Sequence, residues 1–427
     1  MQHERKFTIV IPTRERADTL IHTLASVLAQ DYDNYEVLVS DNASNDNTLE
    51  LVKGINSERI RYVNTGKRLS MSHSWEFALN HVQDGWVTIL GDDDAIMPGA
   101  LKRVNQIINE TGTLAVRSNG CGYSWPSILG KKYGYLHLSL ATGYRRVNSG
   151  SALSSVMTGQ LPYEQLPMLY NGGFIDTSLI RQAKSITGSF YLSMTPDVYS
   201  GIVFALLTAE YIYSDDALAI NGGSHHSGGT AAFEAIRRKR SYDPAEKYLS
   251  EGNIPFHKGL PLTDTGKPVL SIHALVYEAY LQATPFHVQK DKVAVSARQQ
   301  LSIILKKAHP RHTEEVRNWG LSFAAQHKID FDDNSHRANH GINTLMSNIF
   351  DAARTFRRLF SRLTFYGDRH IPLNNVYEAS IVAGAIKSIN PGFMYRFINA
   401  CLRLKRRIQL KSSVTPSKQF NESNDAK

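Results

Sequence analysis

Cysteine is scarce in this sequence of 427 residues, which contains only Cys121 and Cys401. The two lie far apart and without the spacing of metal ligands, so the sequence excludes a disulfide framework and a cysteine-type zinc site. Such sparing use of cysteine is typical of a reducing compartment. We therefore expect a cytoplasmic location.

Long hydrophobic runs are absent as well. No apolar stretch approaches the roughly 20 residues that cross a bilayer. The first residues, MQHERKFTIVIP, lack the charged and then apolar pattern of a secretory leader. We expect any contact with the inner face of the cell membrane to be peripheral.

Acidic residues are outnumbered, with 39 Asp+Glu against 48 Lys+Arg and a formal net charge of +9. A positive protein attracts anionic partners such as diphosphates and phospholipid head groups. The excess positive charge is mostly C-terminal, and no nucleic-acid-binding motif accompanies it. We therefore expect no nucleic acid partner.

The first hundred residues alternate between β-branched runs and segments of helical periodicity. The runs predict strands at 7–11, 35–40, 61–63 and 86–90. The periodicity predicts a helix near 20–28 with Asp18 as its N-cap, and further helices at 48–56, 74–81 and 199–209. This alternation is typical of α/β folds, in which helices cover a parallel sheet.

Three adjacent carboxylates, Asp92, Asp93 and Asp94, follow the fourth predicted strand. In open α/β sheets, ligands bind at this edge. Adjacent carboxylates raise one another's pKa unless a cation or hydrogen-bond donors compensate. Hard oxygen ligands of this kind suit Mg²⁺ or Mn²⁺. The alternative interpretation is a solvated acidic turn.

Three stretches resemble the inverting family 2 glycosyltransferases of GT-A fold. They are FTIVIPTRER at 7–16, SVLAQDYDNYEVLVSDNASNDNT at 26–48 and VTILGDDDAIMPGAL at 87–101. The resemblance implies an α/β fold of GT-A type, that is, a Rossmann-like, doubly wound mixed sheet with a mostly helical C-terminal extension.

The resemblance and the changes of composition together predict the domain organisation. We expect a nucleotide-sugar-binding half at 1–120 and an acceptor-binding half at 121–245. A helical extension at 246–411 and a polar, disordered tail at 412–427 complete the chain.

The resemblance also assigns a nucleotide-binding site. Pro12 and Thr13 would border the nucleobase, and Asp41 would accept a hydrogen bond from a base N–H. A carboxylate at that position suits the imide of uracil, so a UDP-sugar is the favoured donor.

Arginines near these residues are candidates for contact with the diphosphate. Arg14, Arg16 and Arg68 carry planar guanidinium groups that bind phosphate oxygens bidentately. The alternative is that they are solvated surface arginines.

The acidic cluster and a histidine receive roles from the same resemblance. In the family, one carboxylate binds the ribose and another binds the metal that bridges the phosphates. The spacing to the following proline favours Asp93 for the ribose and Asp94 for the metal, whereas a literal D-x-D pattern pairs Asp92 with Asp94. His226, which we favour over His225, would add an imidazole to the metal or the diphosphate. The alternative is an ordinary loop histidine.

The general base is expected just before a helix, and TPDVYSGIVFAL at 195–206 resembles that element. Asp197 would take the acceptor's proton. Pro196 stands where the family usually has a first acid, so a helper carboxylate is not expected. The alternative role for Asp197 is a helix N-cap.

Two basic amphipathic segments, at 349–363 and 394–411, are predicted as helices. Such helices bind lipid interfaces, or they pack an apolar stripe on the protein and leave a solvated face.

These expectations add up to a metal-dependent inverting transfer of a sugar from a nucleotide diphosphate to a hydroxyl group. The acceptor would be a saccharide or lipid-linked molecule of bacterial surface polysaccharide assembly. One alternative is a nucleotidyltransferase, although IPTRERAD lacks the glycines of that loop. The other is a degenerate, carbohydrate-binding scaffold protein.

Overall fold

The β-branched runs of the sequence form the centre of a large sheet in the computed structural model. The structure describes residues 3–227, 251–269, 271–289, 295–308, 313–330, 362–389, 391–392 and 399. In β1 (Phe7–Thr13), Val10 faces one hydrophobic core, whereas Ile9 and Ile11 face the other. This alternation follows from the strand period of two, and it explains why both faces of the run are apolar.

The remaining strands occur both before and after the acidic cluster. They are β2 (Tyr35–Asp41), β3 (Ile60–Asn64), β4 (Trp86–Ile89), β5 (Ala95–Ile96), β6 (Ala115–Ser124), β7 (Tyr135–Ser139), β8 (Tyr144–Asn148), β9 (Gly173–Asp176), β10 (Glu210–Gly223) and β11 (Arg362–Tyr366).

Helices alternate with the strands and then dominate the described C-terminal part. They are α1 (Ala17–Leu28), α2 (Thr48–Gly54), α3 (Met71–Leu79), α4 (Ala100–Thr111), α5 (Pro126–Leu129), α6 (Ser149–Met157), α7 (Thr177–Thr187), α8 (Pro196–Leu207), α9 (Ile272–Gln282), α10 (Ala297–Lys307), α11 (Thr313–Gln326) and α12 (Val376–Ile389).

The strands form one mixed sheet in the order β11-β7-β6-β9-β4-β1-β2-β3, and β10 pairs with β5, β6 and β8. The strands β4, β1, β2 and β3 are parallel to their neighbours within that group. β9 runs antiparallel to both β4 and β6. The predicted α/β class with a mixed sheet is therefore confirmed.

Two local predictions are wrong. Asp18 is not the N-cap of α1, because the helix begins at Ala17 and the capping position falls on Arg16. Leu363 does not continue a helix, because it lies in β11 and pairs with Leu138 of β7. Residues 349–361, nearly all of 394–411, the predicted boundary at 245 and the tail at 412–427 lie outside the described residues.

The described part of the predicted extension packs on the rest of the chain. β11 extends the sheet beside β7, and α12 packs against α1. On the other side of the sheet, α9 contacts α8 and α10. None of the helices in the described ranges has the length and apolar character needed to span a bilayer.

A buried glutamate links α9 to the segment ahead of α8. Glu278 is fully buried; its Oε2 accepts a hydrogen bond from Ser193 Oγ at 2.6 Å, and its Oε1 accepts one from the His257 backbone N–H at 3.1 Å. Burial raises the pKa of Glu278, and these donors only partly oppose the shift.

We predict that Glu278→Gln changes how stability depends on pH. Because the folded-state pKa of Glu278 is raised, the native protein holds more protons than the unfolded chain above the ordinary Glu pKa. The stability of the wild type therefore falls as pH rises through the folded pKa. The Gln variant lacks this loss, so its melting temperature relative to wild type should increase from pH 5 to pH 8. A constant difference in thermal melts over that range would contradict the prediction.

Candidate active site

The carboxyl ends of the parallel strands bring the predicted donor residues to one edge of the sheet. Thr13 at the end of β1 is in register with Asp41 at the end of β2, and Asp41 is in register with Asn64 at the end of β3. β4 lies on the other side of β1 and leads into the acidic cluster. Nucleobase, ribose and phosphate positions predicted from separate segments thus share one edge.

The acidic cluster is buried. Asp92, Asp93 and Asp94 are 2%, 4% and 0% exposed. The alternative of a solvated acidic turn is therefore wrong. Buried carboxylates need hydrogen-bond or charge partners, and each of the three has a different set.

Asp94 is held inside the protein through both of its oxygens. Its Oδ1 accepts a hydrogen bond from the Gly222 N–H at 2.7 Å, and its Oδ2 accepts hydrogen bonds from the Gly91 N–H and the Tyr170 hydroxyl, each at 3.0 Å. Burial and the neighbouring Asp93 raise the pKa of Asp94 well above its ordinary value. Because both of its oxygens accept hydrogen bonds from the protein, Asp94 supports the structure of the site.

Asp92 pairs with Arg16. The guanidinium Nη1 donates to Asp92 Oδ1 at 2.8 Å, and Nη2 donates to the carbonyl of His226 at 2.6 Å. Burial raises the pKa of Asp92, and Arg16 opposes that shift. Burial alone would lower the pKa of Arg16, but Asp92 and Asp93 outweigh it and raise the net value. Arg16 therefore stays charged among the carboxylates.

Asp93 is bound by the turn that follows β10. Its Oδ2 accepts hydrogen bonds from the hydroxyls of Ser224 and Ser227, each at 2.6 Å. Its backbone carbonyl accepts a hydrogen bond from Trp125 Nε1 at 3.0 Å. Among the described residues, no hydrogen bond reaches Oδ1 of Asp93, so this oxygen is open to a further partner.

Asp41 is also buried, with 1% of its surface exposed. Its Oδ1 accepts a hydrogen bond from the Ser44 N–H at 2.9 Å. Its Oδ2 accepts hydrogen bonds from the Tyr62 hydroxyl and from Asn64 Nδ2. Pro12 is partly exposed and Thr13 is buried beside it.

The other two predicted phosphate-binding arginines have carboxylate partners. Arg14 Nη1 lies 2.6 Å from Glu251 Oε1, and Arg68 pairs with Glu15. All three arginines of the prediction are therefore ion-paired in this structure.

Asp197 lies in the first turn of α8 and is not its N-cap, which is Thr195. Its Oδ2 accepts a hydrogen bond from the Tyr163 hydroxyl at 3.3 Å. Burial raises the pKa of Asp197, while N–H groups at the start of the helix and the Tyr163 hydroxyl lower it. A carboxylate with a raised pKa in a helix N-terminus is a reasonable proton acceptor.

Aromatic side chains connect Asp197 to the acidic cluster. Burial raises the pKa of Tyr170, and the negative charges of Asp94 and Asp197 raise it further. The ring of Trp75 lies 5.4 Å from the ring of Tyr170 and 6.0 Å from that of Tyr191, centroid to centroid. Burial and the negative charges of Glu76 and Asp197 also raise the pKa of Tyr191, so Asp197 lies near this aromatic group.

Other acids of the second half serve structural roles. Asp176 caps α7 by accepting a hydrogen bond from the Ser178 N–H. Asp215 pairs with Arg145, and Asp216 pairs with Arg103 and Lys387. These contacts engage Asp176, Asp215 and Asp216 in a helix cap and in ion pairs.

His226 contacts Asp18, not the acidic cluster. Its Nε2 lies 3.2 Å from Asp18 Oδ1. With His225, these residues form a group whose ligand atoms all lie within 4.8 Å of one another.

Several residues of the site could not be assigned from the sequence. Tyr170, Gly222, Ser224 and Ser227 all touch the acidic cluster, yet none lies near it in the chain. The two histidines of the predicted site belong to the segment NGGSHHSGGT at 221–230. The Gly and Ser content of this segment is the local signal for the serine contacts.

We predict that Gly222→Ala destabilises the protein. A Cβ at this position would lie 1.7 Å from the carbonyl oxygen of Asp93, so β10 would move and its hydrogen bond to Asp94 would break. Overpacking of this kind costs about 1–3 kcal/mol or more. The matched control is Gly120→Ala in β6, where an added Cβ meets nothing within 4 Å. Equal melting temperatures for the two variants would refute the close-approach account.

The N-terminal part of the chain is similar to known proteins. Residues 8–138 match the sequence profile of glycosyl transferase family 2. A GalNAc(5)-diNAcBac-PP-undecaprenol beta-1,3-glucosyltransferase of Campylobacter jejuni is 31% identical over 108 residues, covering 25% of this chain and 35% of that protein. The succinoglycan biosynthesis protein ExoO of Rhizobium meliloti is 28% identical over 105 residues, covering 25% of this chain and 30% of that protein.

The match to these relatives covers about a quarter of this chain, and the chain spans only about a third of their length. The crystal structure of S. aureus TarS 1-349 in complex with UDP-GlcNAc is 15% identical, with a TM-score of 0.45, and the match covers 77% of this chain and 93% of that one. A TM-score this low supports no further conclusion. The family resemblance seen in the sequence is confirmed over residues 8–138, which match glycosyl transferase family 2.

Proposed function

We propose that this protein is a metal-dependent, inverting glycosyltransferase that moves a sugar from a nucleotide diphosphate to a hydroxyl acceptor. The observation that carries the proposal is the buried acidic cluster at the end of β4, with Asp197 beyond Tyr170 in the same site. The match of residues 8–138 to glycosyl transferase family 2 supports this chemistry.

A UDP-sugar is the proposed donor. Asp41, with Pro12 and Thr13 beside it, would receive the uracil. Asp93 and Asp92 would receive the ribose and the phosphate end. Asp41 is in register with Thr13, which supports a nucleotide lying across the ends of β1 and β2.

The donor set of the acidic cluster fits a hard divalent cation. Asp93 Oδ1 accepts no hydrogen bond from the described residues, and Asp92 adds a second carboxylate whose partner is a cation, Arg16. We therefore propose Asp93 and Asp92 as the residues that would hold Mn²⁺ or Mg²⁺, with Asp94 as a supporting carboxylate. When bound, such an ion supplies charge neutralisation for the leaving diphosphate.

Arginines would supply the remaining positive charge. Arg16 already lies among the carboxylates, and Arg14 and Arg68 would exchange Glu251 and Glu15 for phosphate oxygens. Bidentate guanidinium contacts would orient the diphosphate for in-line departure.

Asp197 is the proposed general base. The acceptor oxygen attacks the anomeric carbon, its proton passes to the Asp197 carboxylate, and the bond to the diphosphate oxygen breaks. A single displacement inverts the anomeric configuration. Because burial raises the pKa of Asp197, turnover would fall at acid pH as the base becomes protonated.

A lipid-linked or other saccharide acceptor is proposed, in the setting of bacterial surface polysaccharide assembly. The printed names of the C. jejuni and R. meliloti relatives refer to an undecaprenol-linked saccharide and to succinoglycan biosynthesis. Cytoplasmic location, peripheral membrane contact and the division at 120, 245 and 411 are part of the same proposal.

We predict that Asp197→Asn lowers transfer turnover by about 10²–10⁴-fold, because a positioned base contributes that order. The binding of UDP should change little, since Asp197 is not among the donor contacts. The amide keeps an oxygen for the Tyr163 hydroxyl, so the melting temperature should stay close to wild type. Product formation from a UDP-sugar and calorimetric UDP binding are the measurements.

Asp176→Asn is the matched control, because it alters another acid at a helix start and keeps the capping oxygen. It should retain wild-type turnover. A well-folded Asp197→Asn enzyme with near wild-type turnover would rule out Asp197 as the base.

A further inference from the structure

A group of metal-ligating side chains lies at the rim of the site, outside the acidic cluster. Asp18, His225 and His226 each offer a ligand atom within 4.8 Å of the others. Nε2 of His226 is 3.2 Å and 3.3 Å from the two oxygens of Asp18. The two imidazole rings lie with centroids 3.7 Å apart. One ion could contact all three side chains with small rotations.

The turn that carries the two histidines is held by its own contacts. The His226 carbonyl accepts a hydrogen bond from Arg16 Nη2 at 2.6 Å, and the His226 N–H donates to Ser224 Oγ at 3.1 Å. Ser224 and Ser227 are in turn bound to Asp93. In metal sites, hydrogen bonds outside the set of metal ligands, such as these, orient the ligands.

The chemistry of the group differs from that of the acidic cluster. Two imidazoles and one carboxylate suit Zn²⁺, Co²⁺ or Ni²⁺ better than Mg²⁺. The Asp18 and His226 side chains are 61% and 25% exposed, whereas that of Asp92 is 3% exposed. The positive charge of Arg16, which would repel a cation, is offset by its pairing with Asp92.

We propose that Asp18, His225 and His226 form a second cation site, selective for transition metals that bind imidazole, such as Zn²⁺. The site is separate from the ion of the transfer reaction and does not rest on that function. An ion bound there joins the first turn of α1 to the turn at 224–227. Both elements support the acidic cluster, so the ion would fix one wall of the site.

Titration of the tag-free, full-length protein with Co²⁺ tests the proposal, because the visible absorption of Co²⁺ reports its ligands. Without any nucleotide, one equivalent should give absorption bands, and Zn²⁺ should abolish them by competition. Asp18→Asn and His226→Gln should each weaken Co²⁺ binding at least 10-fold. His370→Gln, which alters an exposed histidine outside the group, should leave binding unchanged.

Competition with excess Mg²⁺ separates this site from the acidic cluster, since oxygen ligands bind Mg²⁺ and imidazoles bind it poorly. The bands should persist in excess Mg²⁺. Their loss would assign the histidines to the ion of the acidic cluster and overturn the proposal. Absence of bands in the wild type, or their survival in Asp18→Asn and His226→Gln, would also overturn it. None of these outcomes depends on transfer activity.

Discussion

The burial of three adjacent carboxyl groups at the end of β4 is the constraint on which the surrounding structure depends. Taking a carboxylate out of water costs several kcal/mol even after relaxation, so each group requires its own partners. Asp94 takes backbone N–H groups and Tyr170, Asp92 takes Arg16, and Asp93 takes two serine hydroxyls. These partners come from distant parts of the chain, and the cluster therefore ties together the start of α1, the end of β10 with the turn that follows it, and the segment before β9.

The partners differ in which carboxylate oxygens they leave without a hydrogen bond. That difference is the basis for the roles proposed for the three aspartates. Asp94 accepts hydrogen bonds from the protein at both oxygens, whereas no described residue donates a hydrogen bond to Oδ1 of Asp93. A hard cation there would relieve the mutual repulsion of the carboxylates. Both Asp94 and Asp197 act on Tyr170, so the proposed cation-binding residues and the proposed base lie near the same side chain. A transferase of the proposed kind needs both.

The sequence predicts the parallel part of the sheet well, because runs such as FTIVI are buried on both faces and have one plausible structure. It also places Asp41 and the acidic cluster at one edge, since the ends of parallel strands meet there. The sequence does not predict the contacts that depend on the long-range approach of β10 to the acidic cluster. Gly222 and Ser224 reach the cluster from more than a hundred residues away, and no local pattern reports that contact. The predictions for Asp18 and Leu363 are wrong for a related reason. Contacts with distant residues determine the ends of these elements, since the Ala17 N–H donates to Asp46 and Leu363 pairs with Leu138 of β7.

The most direct test of the central claim is calorimetric binding of UDP, with and without Mn²⁺, to the wild type and to Asp93→Asn. If the acidic cluster holds a cation and a nucleotide diphosphate together, Mn²⁺ should strengthen UDP binding to the wild type by at least tenfold. In Asp93→Asn that gain should disappear while the melting temperature stays near wild type. Equal UDP affinity with and without Mn²⁺ in the wild type, or an undiminished gain in the variant, would contradict the account.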